Sequence, residues 1–299
     1  MSADTALYDV LGPRGRRRIR VVNIVGAVVV LAVAAWVVWA LAGKGQLTAA
    51  KWSPFLTADV WEFYLLPGLR VTFTAAFWGI LGAITFGLLF GLGRLATFGP
   101  LRWACAAVVE FFRAVPVLIM MIFLYFALSR SGIIAPGDAP LYAVIIALAL
   151  YNGSVIAELV RSGVHSLPSG QREAARALGL RHGQSLWSVE LPQALIAMLP
   201  SLLSQLVVIL KDTALGYIIT SPELLRQARL VGSSYANLLP ALIVAAAIFI
   251  VVNFALTWVA GRLARRLSSR TAGRTAPQHG GDAEGRAEPV AAAPVGTRR

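Results

Sequence analysis

Residues 21–43 and 71–93 each run without a charge over the length of a bilayer-crossing helix. Nothing else in the sequence constrains the fold as strongly. A backbone in lipid must satisfy its own amides and carbonyls, and a continuous helix does this within one segment. Residues 139–157 and 191–210 also qualify, with Pro192 and Pro200 as expected break or kink points in the second. The run 114–129 is shorter; it reaches spanning length if its helix starts near Trp103 and encloses Glu110 and Arg113. Residues 230–261 hold a span with a lead-in. The tally is roughly six transmembrane helices, so the expected fold is an all-α integral membrane protein. The first run is too long for a secretory signal core and lacks a clear small-residue cleavage site, so it reads as a retained helix.

Composition agrees. The 299 residues are 58% apolar, with a mean hydropathy of +0.71, and only 14% are charged. A soluble domain carries about 25% charged residues. The net charge of +13 would suggest nucleic acid in a soluble protein. Here the arginines flank apolar runs without aromatic interleaving, which excludes that reading in favour of membrane topology. Arg14, Arg16, Arg17, Arg18 and Arg20 precede the first run, and Arg94 and Arg102 lie between the second and third. Arg161, Arg172, Arg176 and Arg181 follow the fourth, and Arg262, Arg265, Arg266 and Arg270 the last. The alternate loops hold only Lys44 and Lys51, Arg130, and Arg226 and Arg229. Both termini are therefore expected on the cytoplasmic side of a multi-pass protein of the cytoplasmic membrane.

The expected organisation is a basic cytoplasmic N-terminus (1–20), an extra helix (21–43), an external loop (44–66) and a membrane core (67–265). A disordered cytoplasmic tail (266–299) would follow, rich in Ala, Gly, Pro and Arg. The single cysteine, Cys105, allows no disulfide within the chain. His165, His182 and His279 lack metal-ligand spacing, so no metal site is expected.

One cytoplasmic loop, 163–192, is unlike its surroundings. Its stretch 170–179, GQREAARALG, reads as a short helix with Ser169 as N-cap and Glu173 near the first turn. Gly179 would end it in a left-handed conformation. Ala174, Ala175 and Leu178 fall on one face by helical spacing, and Arg172 and Arg176 on another. This is either a docking helix with a small-residue contact surface or an ordinary solvated loop helix. A second short helix is expected over 220–228 on the outer side, with Ser221 as N-cap and Pro222 and Glu223 in its first turn.

Ionisable residues near or inside spans are functional suspects. Glu110 with Arg113, and Glu158 with Arg161, have the spacing of structural ion pairs near the membrane surface. Lys211 and Asp212, with Thr213, follow a full apolar span. They suit a polar gate or substrate contact, or equally a structural bond to a neighbouring helix or partner. Asn152, Gly153 and Ser154 look like an interruption of the fourth span, fitting either a substrate path or helix packing. No His, Cys or clustered-carboxylate constellation stands near the lipid boundary, which argues against an enzyme.

The run Glu173-Ala174-Ala175, then Gly179, then Leu191-Pro192, resembles the EAA loop of ABC importer permeases. Other segments resemble the polar amino-acid branch of that family: Pro67-Gly68-Leu69-Arg70-Val71-Thr72, the E-x-x-R-x-x-P run from Glu110 to Pro116, and Ala157-Glu158-Leu159-Val160-Arg161-Ser162-Gly163. Leu210-Lys211-Asp212-Thr213-Ala214-Leu215 is similar to its K-D-T-S-L segment, with Ala214 where serine is usual. The resemblance covers residues 67–265. It implies a five-helix type I ABC importer permease core, here preceded by one extra N-terminal helix.

It further implies that Glu173, Ala174, Ala175, Leu178 and Gly179 couple this chain to a dimer of separate ATPase subunits, which bind ATP and Mg. This chain has no G-x-x-x-x-G-K-[ST] phosphate loop and so no cofactor is expected in it. A second permease chain, copy or paralogue, and an extracytoplasmic amino-acid-binding protein would complete the transporter. The lead-in ALYDVLGP at 6–13 looks similar to glutamate-importer permeases, which favours glutamate among polar amino acids. The alternative is a stand-alone secondary transporter or channel; it leaves the docking helix unexplained, and no inverted repeat is seen.

Overall fold

The computed structural model describes residues 12–272. Among these, every regular element is helical. Five helical segments are long and apolar enough to cross a membrane: Arg14–Gly43, Ala58–Gly93, Ala139–His165, His182–Ile219 and Leu238–Arg262. A sixth span arises if α5 (Gly99–Ala114) and α6 (Val117–Ser131), which meet at 97°, are counted as one bent segment. This corrects the expectation of a single helix from Trp103 to Ser129. Proline disfavours the helical region for the residue before it. Val115 and Pro116 are accordingly extended, with ψ values of 125° and 131°. The chain turns there, and α6 alone, with 15 residues, is only about 22 Å long. Glu110 and Arg113 thus lie on a separate amphipathic helix, outside any straight crossing.

α1 (Pro13–Gly43) has no buried residue in its most apolar window, so its surface is left for lipid or another chain. The segment 44–66, expected as a loop, is largely helical. It holds α2 (Ala49–Trp52), α3 (Ala58–Val60) and a π turn, Trp61–Leu65, which leads into α4 (Leu66–Gly93). Phe55, Val60 and Leu65 pack there against Leu224, Ala228 and Val231 of α11 (Leu224–Ser234) and Ala241 and Ala245 of α12 (Leu238–Ala272). Asn237 Nδ2 donates to the Lys51 carbonyl at 2.8 Å, and the Leu224 amide donates to Thr72 Oγ1 at 3.1 Å. The last helix reaches Ala272, so 266–272 is helical and not the start of a disordered tail. The rest of that tail and the lead-in 6–11 lie outside the described residues.

The N-cap of α11 is Glu223, and Ser221 is not the cap: the Glu223 carboxylate accepts from the amides of Leu225 (2.8 Å) and Arg226 (2.7 Å). Burial pushes this carboxyl up to about 7, against the opposing pull of those two amides and of Arg226. The folded protein therefore holds a proton that the unfolded chain, titrating near 4.5, has released. Stability is greatest below that lower value, falls as pH rises through about 7, and is flat above it. Glu223→Gln keeps the capping oxygen without the charge. Its melting temperature in detergent should vary less between about pH 5 and pH 8 than that of wild type. Parallel profiles for the two proteins would remove the effect.

The central contact joins α4 to α7 (Ala139–His165) through glycines. A Cβ at Gly87 would lie 2.4 Å from Ile156 Cγ2, and one at Gly91 would lie 3.1 Å from the Ala157 carbonyl. Helices in lipid gain no hydrophobic drive to associate, so close approach of this kind holds them together. Asn152, Gly153 and Ser154 do not interrupt α7. The helix runs through them, all three are buried, and a Cβ at Gly153 would meet Phe86 at 2.9 Å. Nor do the prolines break α10 (Leu191–Asp212). Pro192 occupies its first turn after a π turn, Leu186–Glu190, and Pro200 is carried inside it.

Candidate functional site

The loop helix forms α8 (Ser169–Ala177). Its start differs from expectation by one residue: Pro168 is the capping position, extended at ψ 135°, and Ser169 is already helical, without a side-chain cap. Glu173 accordingly falls beyond the first turn, where no acidic residue stands. The far end forms as expected. Gly179 has φ +77°, its amide donates to the Arg176 carbonyl at 2.9 Å, and the Leu180 amide donates to Ala175 at 3.1 Å. This pair of bonds is the Schellman closure.

The expected contact face divides in two. Ala175 is buried against the chain's own body, whereas Glu173 and Ala174 are exposed and Leu178 is 80% exposed. Arg172 Nε donates to Glu190 Oε2 at 3.1 Å, and Ser185 Oγ donates to Glu190 Oε1 at 2.8 Å. Glu190 is 2% exposed and stands directly before α10; Ser185 ends α9 (His182–Ser185). α8 is thus tied to the foot of a membrane helix while its outer face stays open. Glu190 was missed at the level of sequence. Its signal was a lone carboxylate at the edge of an uncharged span, which needs a partner.

The two local ion pairs expected from spacing are parts of one network. Glu158 meets Arg94 at 2.8 Å, Arg161 at 2.5 Å and Arg113 at 3.7 Å. Glu110 meets Arg94 at 3.2 Å and Arg113 at 3.3 Å. Arg94, at the end of α4, and Arg113 of α5 each reach both carboxylates; the Arg94 side chain is only 10% exposed. The network ties the ends of α4, α5 and α7 at the side of the bundle that carries α8.

Within the bundle, Asn152 Nδ2 donates to the Leu148 carbonyl at 3.1 Å, and its Oδ1 accepts from Gln205 Nε2 of α10. Ser154 is turned to its own helix, donating to Leu150 at 2.8 Å. Lys211 and Asp212 end α10, about 9 Å beyond Gln205 along its axis, and Thr213 follows directly. Lys211 is exposed and Asp212 half-buried, while Thr213 is buried and bonded to the Leu210 carbonyl at 2.6 Å. The structure therefore pairs Asn152 with Gln205, a residue not singled out from sequence, rather than with the Lys211 group. Among the described residues no group of three or more His, Cys, Asp or Glu side chains is placed to hold a metal ion.

Comparison with known proteins places these features in context. The family described as binding-protein-dependent transport system inner membrane component matches residues 83–269. The glutamate transport system permease protein GluD of Corynebacterium glutamicum is 48% identical over 225 residues, covering 75% of this chain and 82% of that protein. The probable glutamine ABC transporter permease protein GlnP of Bacillus subtilis is 36% identical, covering 67% of this chain and 92% of its own. Among solved structures, a chain from the crystal structure of an amino acid ABC transporter with histidines superposes with a TM-score of 0.62 at 28% identity. It covers 68% of this chain and 93% of that one.

Proposed function

The chain belongs to the family of binding-protein-dependent transport system inner membrane components, as a permease subunit of an amino-acid ABC importer, and on that footing we propose how it couples and what it carries. It makes and breaks no bond itself. A separate ATPase dimer binds ATP and Mg, and a second permease chain, copy or paralogue, completes the path. An amino-acid-binding protein delivers the ligand outside. Both termini and α8 face the cytoplasm, in keeping with the arginine distribution.

The observation that carries the coupling role is the asymmetry of α8. Its inner side is fixed through Ala175 and the Arg172–Glu190–Ser185 bonds, while Leu178 stands 80% exposed beyond the closing turn. Glu173, Ala174 and Leu178 enter a groove of the ATPase; Ala175 and Gly179 hold the helix at its angle. Displacement of α8 then reaches α10 through Glu190. A rigid connection transmits motion better than a compliant one, and the ion network makes α4, α5 and α7 follow as one body.

The substrate is a polar amino acid, glutamate first, on the strength of the 48% identity to a protein named as a glutamate permease. Asn152, Ser154 and Gln205 contribute polarity inside the bundle. Lys211, Asp212 and Thr213 form the gate at the end of α10, where the Lys211 ammonium would attract a carboxylate. The stand-alone secondary transporter is disfavoured by the family match.

Leu178→Asp tests the coupling role at an exposed position that the fold does not need. Hot-spot side chains at interface centres contribute about 2 kcal/mol or more, so ATPase co-purification should fall roughly 30-fold. ATP-driven glutamate uptake into proteoliposomes should fall with it. Normal uptake by the variant would remove α8 from the coupling path. Uptake by the permease alone, without ATP, would restore the secondary transporter.

A further inference from the structure

Two clefts open side by side at the end of the bundle that carries α8. One, of about 230 Å³, is lined by Arg94, Arg102, His165, Arg172, Arg176 and His182, with a single carboxylate, Glu190. The other, of about 500 Å³, shares Arg94, Arg102 and His165 and adds Arg161, Gly99 and Trp103. Their charges do not cancel. Arg94 and Arg161 are committed to Glu110 and Glu158, and Arg172 to Glu190. Arg102 and Arg176 make no ion pair among the described residues. Two guanidiniums are therefore left for an outside anion. Gly99, the first residue of α5, lines the second cleft, so the positive end of that helix dipole adds to them.

The surroundings decide which anion. Trp103, Ala107 and Phe111 recur every four residues on α5, and all are exposed, Trp103 by 75% and Phe111 by 62%. An apolar strip thus leads away from the basic clefts along an amphipathic helix. Tryptophan with arginine at such a place is the composition of a membrane interface. A soluble phosphate has no use for the strip. A lipid uses both parts.

We propose that the paired clefts bind the phosphate headgroup of an anionic phospholipid, held by Arg102 and Arg176, with its acyl chains along Trp103 and Phe111. The lipid belongs to the cytoplasmic leaflet. Only that leaflet assignment rests on the orientation proposed above; lipid retention does not depend on transport, so the two readings fail separately.

The test uses the complete transporter with its ATPase, reconstituted in phosphatidylcholine containing about one-fifth phosphatidylglycerol, then re-extracted and analysed by native mass spectrometry. Wild type should retain phosphatidylglycerol in preference to phosphatidylcholine. The double variant Arg102→Gln with Arg176→Gln should lower its affinity roughly 30-fold, and Arg102→Lys with Arg176→Lys should restore much of it. The lysine pair also guards against a misfolded glutamine variant. Equal retention by wild type and the glutamine pair would overturn the proposal, as would equal retention of the two lipids. Release of the lipid by millimolar inorganic phosphate would make this a soluble-anion site and overturn it. Loss of the ATPase from the glutamine pair, with phosphatidylglycerol retained, would make the clefts a protein-docking surface and overturn it too.

Discussion

Gly153→Leu is expected to prevent α7 from seating on α4, with a loss of about 3 kcal/mol or more and little folded protein recovered from membranes. The reason is geometric. Even the first added carbon would stand 2.9 Å from both Cβ and Cδ1 of Phe86 and 3.1 Å from the Ala83 carbonyl oxygen. Phe86 cannot swing clear easily, because it stacks on Phe90 at 4.2 Å and meets Phe112 edge-on at 5.9 Å. A carbonyl of a neighbouring helix cannot move without the helix. The bundle must therefore open, and the loss spreads to Gly87, where an added Cβ would lie 3.0 Å from the Gly153 carbonyl oxygen. Gly170→Ala is the matched control, since its added Cβ meets nothing within 4 Å. Alanine also favours the helical state, so that variant should melt at or slightly above the wild-type temperature. Fluorescence-detected gel filtration and thermal melts in detergent separate the two. If Gly153→Leu elutes and melts like wild type, the α4–α7 contact does not organise this fold.

The same glycine shows what sequence reasoning can and cannot reach. Asn152, Gly153 and Ser154 have one composition whether they break a span or let another helix approach. The choice between them lies with Phe86 and Ala83, which are remote in sequence. The spans themselves were legible because an uncharged run of bilayer length has few other fates. The end of α8 was legible because Gly179 supplies a left-handed residue at the position a Schellman closure requires. Its start was misjudged by one residue because Pro168 is itself the extended capping position, leaving Ser169 inside the helix. The turn at Pro116 could have been read from the residue-before-proline rule. The run 114–129 reaches spanning length only if its helix continues upstream through that proline, and it does not. Within α5 and α7, Glu110–Arg113 and Glu158–Arg161 followed from helical spacing, but no local rule brings Arg94 to both. That link needs the glycine contact between α4 and α7, so the missed packing and the missed charge partner are one omission.

That dependence sets the second large effect. Glu158→Gln is expected to cost transport more than it costs folded protein. Glu158 is the acceptor shared by Arg94, Arg113 and Arg161, and among the described residues it is the carboxylate that pairs with Arg161. Removing one partner of a buried pair costs about 3–5 kcal/mol. The Glu158 side chain is 22% exposed and that of Arg161 35%, so water screens part of this and about 2 kcal/mol is the working figure. The bundle keeps its glycine contacts and should still fold. What it loses is the clamp on α4, α5 and α7 beside α8, so ATPase closure would displace α8 without carrying these helices. Uptake per folded transporter should drop roughly tenfold while ATPase co-purification stays near wild type, since that figure corresponds to about 1.4 kcal/mol of coupling. Glu110→Gln removes a carboxylate that is 56% exposed, and exposed pairs contribute at most about 1 kcal/mol, so its effect on uptake should be clearly smaller. Arg94→Gln combined with Glu158→Gln should cost less than the sum of the single changes, because each removes the same contact. Additive losses would mean that Arg94 and Glu158 act separately. Undiminished uptake in Glu158→Gln would mean that the network holds charge at the membrane edge and transmits nothing.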